Sequence, residues 1–160
     1  MDIRALRPED LPVLHDLVCR VFGPFFEESF RPTVSETVFG NRHGDWRGDY
    51  AKLLAEAHKP QEGRVAAVAV VEGRIAGFVG YLLQKDERHG EIDIIAVLPE
   101  ARRHGVGKAL LDHALTALKA EGVDVVSLGT GGDDFHAPAR AFYESAGFTP
   151  FPTVSYTMPI

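Results

Sequence analysis

The chain is predicted to fold as an α+β protein, an α/β/α sandwich with a mixed, mostly antiparallel sheet flanked by helices. Three observations predict it. The apolar runs 64–71, 74–84 and 91–97 are joined by short turns, as consecutive antiparallel strands require. The run 106–121 has helical periodicity and joins two strand-like stretches, which implies a parallel pair with a right-handed crossover. An amphipathic helix near the N-terminus supplies a second layer.

Residues 2–7 (DIRALR) read as a first strand, with Ile3, Ala5 and Arg7 on one face. Pro8-Glu9-Asp10 then opens a helix, because proline suits a first turn and acids there oppose the dipole. Leu11, Leu14, Leu17, Val18 and Val21 form its apolar stripe, and the helix is expected to end near Gly23-Pro24. Residues 24–60 are irregular, and aromatics crowd from Phe22 onward: Phe22, Phe25, Phe26, Phe30 and Phe39, then Trp46 and Tyr50. Two readings stand, a helical hairpin burying these rings on the sheet or the wall of an acceptor pocket. Glu27, Glu28 and Glu36 offer negative charge to a cation or form a solvated face, and Trp46 to His58 reads as a short helix.

Arg64 to Val71 and Arg74 to Gln84 form a hairpin about Glu72-Gly73, and Gly77 and Gly80 predict a bulge or a close backbone approach. A turn over Asp86 to Gly90 leads into EIDIIAV (91–97), which Pro99 closes. The following helix carries Val106, Leu110, Leu111, Ala114, Leu115 and Leu118 on one face and is capped at Gly122. Val123 to Leu128 is the parallel strand. Gly129 to Asp134 is a loop, Pro138 starts a short helix capped by Gly147, and Val154 to Met158 is a last strand between Pro152 and Pro159. No repeat or linker interrupts the sequence, so one domain over 1–160 is expected.

Composition narrows the function. A 45% hydrophobic and 25% charged chain is ordinary for a soluble globular protein, and its net charge of −6 disfavours a duplex nucleic-acid binder. No apolar run reaches membrane-spanning length, and MDIRALRPED is no signal peptide. The single cysteine, Cys19, excludes an internal disulfide, fits a reducing cytoplasm and reads as a small core residue.

The chemistry concentrates in Arg102-Arg103-His104-Gly105-Val106-Gly107-Lys108, directly after a strand and opening a helix. Glycines allow close backbone approach, the helix start offers unbonded N–H groups, and three cations lie nearby, so the turn suits a phosphate. A structural turn with surface arginines is the alternative. The Rossmann pattern lacks its third glycine and the P-loop pattern is absent.

Two stretches resemble the GCN5-related N-acetyltransferase (GNAT) family: R-x-x-G-x-G from Arg102 to Gly107, and Ala139, Phe142, Tyr143, Gly147 and Phe148 in the register of the family's second motif. His136 stands where the family usually has Asn. The resemblance implies acetyl transfer from acetyl-CoA to an amine of a small molecule or peptide, by direct attack and without a metal. Ile95 and Val97 would offer backbone groups to the pantetheine arm, where the two parallel strands splay apart. Arg102, Arg103, Gly105, Val106, Gly107 and Lys108 would hold the pyrophosphate, with His136, Ala139, Phe142 and Tyr143 beside the cofactor.

Tyr143 stands at the family's general-acid position, though it also fits as a packing residue. Glu91 and Asp93, two apart on one strand face and about 7 Å from each other, are candidate bases or solvated acids. His136 could hydrogen-bond the pantetheine, shuttle a proton, or do neither. A CoA-binding regulatory module without transferase activity is the alternative function. Relatives of this family commonly dimerise through their last strands, so a homodimer is a further expectation.

Overall fold

The computed structural model describes residues 1–160. In chain order the elements are β1 (Asp2–Ala5), α1 (Leu11–Pro24), α2 (Glu36–His43), α3 (Trp46–Glu56), β2 (Arg64–Val71), β3 (Arg74–Gln84), β4 (His89–Val97), α4 (Val106–Ala120), β5 (Val125–Leu128) and α5 (Ala137–Ser145). They pack as two compact units. The first comprises Met1–Gly23 and Trp46–Leu128, the second Pro24–Asp45 and Gly129–Ile160.

The first unit is built on a five-stranded sheet in the order β1-β2-β3-β4-β5. The first three pairings are antiparallel and β4–β5 is parallel, as the crossover through α4 demands. Glu72 and Gly73 both have positive φ, near 50° and 76°, the geometry of the two-residue hairpin turn between β2 and β3.

One face of the sheet carries α1 and α3. Leu14, Leu17, Val18 and Val21 of α1 and Leu54 of α3 share a buried cluster with Ala66, Val68, Phe78, Ile94 and Ala96. Fully burying a side chain such as Phe78 contributes about 1.5–3 kcal/mol. The other face carries α4. A Cβ on Gly77 would meet Ala96 O at 2.7 Å and Leu110 Cδ1 at 3.1 Å, and one on Gly90 would meet Leu118 Cδ1 at 2.8 Å. These glycines let α4 sit close to the sheet.

The strand β4 changes phase in its middle. Gly80 lies opposite Ile94 and Tyr81 opposite Ile92, which leaves Asp93 as an extra residue. Gly90 faces Leu118 of α4, and Val97, whose Cγ2 would meet a Cβ on Gly77, faces the same side. Those positions are seven apart, an odd number, so strict alternation cannot place both on one face. The bulge reconciles them.

Several boundaries differ from the sequence expectation. The first strand stops at Ala5, and Leu6 turns into the core with its N–H on Ala66 O. The chain does not leave the helical path at Gly23-Pro24. It continues as a π-helical turn over Phe25–Phe30, closed by Arg31 N–H donating to Phe26 O, because Pro24 lacks a donor and the next bonds reach one residue further. His89 and Gly90 belong to β4 rather than to the preceding turn, and β5 begins at Val125 rather than Val123. The expected last strand is absent. Val154 to Met158 is exposed and pairs with nothing, since an extended segment becomes a strand only beside a hydrogen-bonded neighbour. Cys19 is half-buried rather than fully in the core, beside His15.

In the second unit the aromatics of the 24–45 segment pack on one another and on the 129–136 loop. Phe25 contacts Phe26, Phe30, Phe135 and His136, and Phe30 lies against Phe39 and His43. The helical reading of this segment holds, while Trp46 and Tyr50 belong to the first unit. No helix is long and apolar enough to cross a membrane.

Asp10 is the one buried charged residue, gripped by both Arg4 guanidinium nitrogens at 2.7 and 2.8 Å and by Arg7 N–H at 2.9 Å. The Arg4 hydrogen bonds hold its carboxyl below the usual carboxylate range despite burial. A depressed folded pKa stabilises the fold above the ordinary value near 3.8, and that stability is lost as pH falls through the folded value. Asp10→Asn is expected to cost roughly 1–3 kcal/mol in denaturant unfolding at neutral pH, discounted for the partial exposure of Arg4. The cost should shrink in acid. Equal costs at pH 7 and pH 2 would show that the ion pair is not its source.

Candidate active site

The carboxyl half of β4 has a neighbour on one edge only. Leu98 N–H donates to Ala76 O at 2.9 Å, so its peptide faces β3. By alternation Ala96 and Ile94 also face β3, while the N–H and C=O groups of Ile95 and Val97 face the other edge. There β5 pairs only with His89–Ile92. The parallel strands therefore part after Ile92, and the backbone of Ile95 and Val97 borders an open edge. Arg102 Nε reaches into it and donates to Val97 O at 3.2 Å.

The glycine turn follows directly. Arg103 and Gly105 both adopt positive φ, 62° and 81°, and Gly105 is the N-cap of α4 with no side chain capping the helix. The first amides of α4, those of Val106, Gly107 and Lys108, thus keep their donors available. A Cβ at Gly105 would meet nothing within 4 Å, so the space over the turn is open. Consecutive amides of this kind, at the positive end of a fifteen-residue helix, have the chemistry to suit an anion. Arg102 and Arg103 are exposed beside it, whereas Lys108 pairs with Asp112 one turn along α4.

Glu91 and Asp93 lie upstream on the same strand. Glu91 is half-buried beside Ser127 of β5, and Asp93 is the exposed bulge residue. His89 hydrogen-bonds both Gln84 and Ser127, which closes the paired end of β4 and β5.

The remaining predicted residues belong to the second unit. Tyr143 lies on α5 and is 9% exposed, its ring against Phe142 and Phe148. Ala139 and Phe142 on the same helix are half-buried. His136 is the α5 N-cap, and its Nδ1 lies 2.7 Å from Asp133 Oδ2. Burial alone would raise the Asp133 carboxyl, but the hydrogen bond and charge of His136 outweigh it and hold it low.

Sequence reasoning did not find the Arg102–Val97 contact, the Phe25 and Phe135 rings on His136, or Arg140, which donates to Gly131 O and Asp133 O at 2.6 Å each. The Asp-x-x-His spacing from Asp133 to His136 carried one signal.

A model of the acetyltransferase (GNAT) family matches residues 23–148. The chain is 31% identical over 152 residues to a mycothiol acetyltransferase of Streptomyces griseus, covering 91% of this chain and 48% of that protein. It is 47% identical over 70 residues to one from Beutenbergia cavernae, covering 44% and 23%. The chain therefore aligns with about half, or less, of the length of these curated relatives. Among solved structures, PaiA N-acetyltransferase from Thermoplasma acidophilum in complex with coenzyme A is similar in fold. Its TM-score is 0.74 at 19% identity, over 96% of this chain and 92% of that one.

Burial pushes the Tyr143 phenol up to about 12. A raised folded pKa stabilises fully below the unfolded value near 10, and the contribution is lost as pH rises toward 12. Tyr143→Phe should remove this residue's share of that loss. The unfolding free energy of the variant is then expected to fall less steeply than wild type between pH 10 and 12. Identical slopes would mean that the phenol is not buried in solution.

Proposed function

Because the chain belongs to the GNAT acetyltransferase family, we propose that it transfers the acetyl group of acetyl-CoA to the amine of a small molecule or peptide. The observation that carries this reading is the run of open backbone from Ile95 through Val97 into the uncapped start of α4. An extended pantetheine arm can bond to a strand edge as another strand would, and a pyrophosphate can take the amides of the glycine turn. Both features occur in sequence on one unit, in the order the cofactor's own chemistry has them. The mycothiol acetyltransferase relatives support acetyl as the acyl group and a small-molecule acceptor.

The transfer proceeds by direct attack. The amine nitrogen adds to the thioester carbonyl, the tetrahedral adduct expels sulfur, and the departing thiolate needs a proton. Tyr143 supplies it: a phenol held near pKa 12 by burial is fully protonated at neutral pH. Arg102 gives up its bond to Val97 O as the pantetheine arrives and turns to the phosphates. The acceptor must also lose a proton, since an alkylammonium of pKa about 10.4 has no lone pair at neutral pH. The chain offers two kinds of group for that task, the carboxylates Glu91 and Asp93 and the imidazole of His136. The lone half-buried cysteine fits a reducing, cytoplasmic setting.

Two substitutions test this reading. Gly105→Asp places a carboxylate and a side chain at φ 81° in the glycine turn, and calorimetric titration should find CoA binding abolished. Wild-type affinity would remove the turn from the cofactor site. Tyr143→Phe should lower kcat by about 10- to 1000-fold in an acetyl-CoA thiol-release assay, with little change in CoA affinity. Undiminished turnover would take Tyr143 out of the mechanism.

A further inference from the structure

We propose that His136, aligned by Asp133, is the general base that takes the proton of the acceptor amine. This rests on the acyl-transfer reading above and identifies the group that the reaction needs at its other end.

The histidine is held through its backbone, one ring nitrogen and two neighbouring rings. Asp133 Oδ1 accepts the backbone N–H of His136 at 3.2 Å, and Asp133 Oδ2 lies 2.7 Å from Nδ1. A loop turn needs only the first of these bonds. The second fixes the ring. A carboxylate is only an acceptor, so Nδ1 carries the proton and Nε2 keeps its lone pair. Nε2 has no hydrogen-bonding partner within the protein. The edge contacts of Phe25, at 4.7 Å between ring centres, and Phe135, at 5.1 Å, restrict rotation and leave the side chain 17% exposed.

The loop itself is shaped around this bond. A Cβ at Gly131 would lie 2.3 Å from Asp133 Oδ2 and 2.4 Å from His136 Nδ1, so any other residue there collides with both members of the pair. Arg140 holds the loop from α5 through the Gly131 and Asp133 carbonyls. An oriented imidazole with one nitrogen on a carboxylate and the other available is the arrangement of a general base with its positioning residue. Neither Glu91 nor Asp93 has such a partner. His136 precedes Tyr143 by seven residues, two helical turns or about 10.5 Å along α5. The i, i+7 spacing sets base and acid two turns apart along one side of α5.

The proton balance closes. The acceptor ammonium gives one proton to Nε2, and the freed lone pair forms the C–N bond. The adduct loses its second nitrogen proton to water as the C–S bond breaks with its electrons on sulfur. Tyr143 protonates the thiolate and recovers a proton from solvent, and His136 releases its own. One proton is released per turnover.

Other charged groups lie on the elements packed around the pair. In the loop and on α5 these are Asp134 and Arg140. On the segment packed through Phe25 they are Glu27, Glu28, Arg31 and His43, with Glu27 and Glu36 bound to Arg31.

The test uses acetyl-CoA with three primary amines: an alkylamine, an amino sugar and a peptide N-terminus. Thiol release is followed against pH, and CoA affinity is measured separately by calorimetry. His136→Asn is expected to lower kcat about 10²- to 10⁴-fold and to erase the acidic limb of the profile, with CoA affinity unchanged. Its deficit should shrink at alkaline pH, where the amine is already neutral. Asp133→Asn and Gly131→Ala should shift that limb and lower kcat less, with the unfolding midpoint retained. A His136→Asn enzyme with wild-type kcat and limb overturns the base assignment, as does one that loses CoA affinity in proportion to kcat. An unmoved limb in Asp133→Asn overturns the positioning role. Wild type that binds CoA but releases no thiol with any amine overturns the acyl-transfer reading itself.

Discussion

The strand β4 has to bury side chains against helices on both faces of the sheet and yet end without a neighbour along one edge. An ordinary strand meets the first demand by alternation alone. Here α1 requires Ile94 and Ala96 on one side, while α4 packs against Gly90 at the start and Val97 at the end on the other. A fixed period of two cannot satisfy all four positions, and the extra residue at Asp93 resolves the conflict. The residues beyond the bulge lie where β5 has already departed. Packing on the two faces and exposure at the edge thus meet at one point of the strand.

The sheet around β4 carries a set of small residues. Two helical layers can approach the sheet closely only where side chains are short, and Ala66, Ala67, Ala69, Ala76, Gly77 and Gly90 provide that room. Close approach of α4 brings its N-terminus level with the end of β4. The turn between them is short, and positive φ at Arg103 and Gly105 lets it reverse direction while its amides stay unbonded. The open amides at the start of α4 are thus a product of how tightly that helix must sit.

The second unit works differently. Few regular hydrogen-bonded elements hold it, and its order comes from rings and from the basic side chains Arg31 and Arg140. Phe25 lies at the centre of the aromatic contacts, and the π-helical turn that carries it gives the backbone a wider register than an α-helix. Arg140 supplies the loop carbonyls with the donors that a strand would otherwise have provided. The histidine at the N-cap of α5 gains its orientation from this surrounding rather than from the helix.

What the sequence determined by itself was everything that depends on short-range periodicity and on backbone chemistry. The order of strands, the hairpin at Glu72-Gly73, the crossover helix with its apolar stripe, and the glycine turn from Arg102 to Gly107 all follow from residue type and spacing. The family resemblance rested on those same local motifs. Tertiary structure decided what depends on partners distant in the chain. The bulge at Asp93 exists because two helices compete for one strand, which no pattern within 91–97 reveals. Pro24 was read as a helix end because its missing donor was weighed alone, whereas the chain kept its path by passing into a wider turn. The alternating apolar tail from Val154 was read as a strand, but alternation supplies a face and not a neighbour to bond with. His136 and Asp133 were visible as residue types. The Phe25 ring that helps fix their local hydrogen bond came only from bringing residues 25 and 135 together in space.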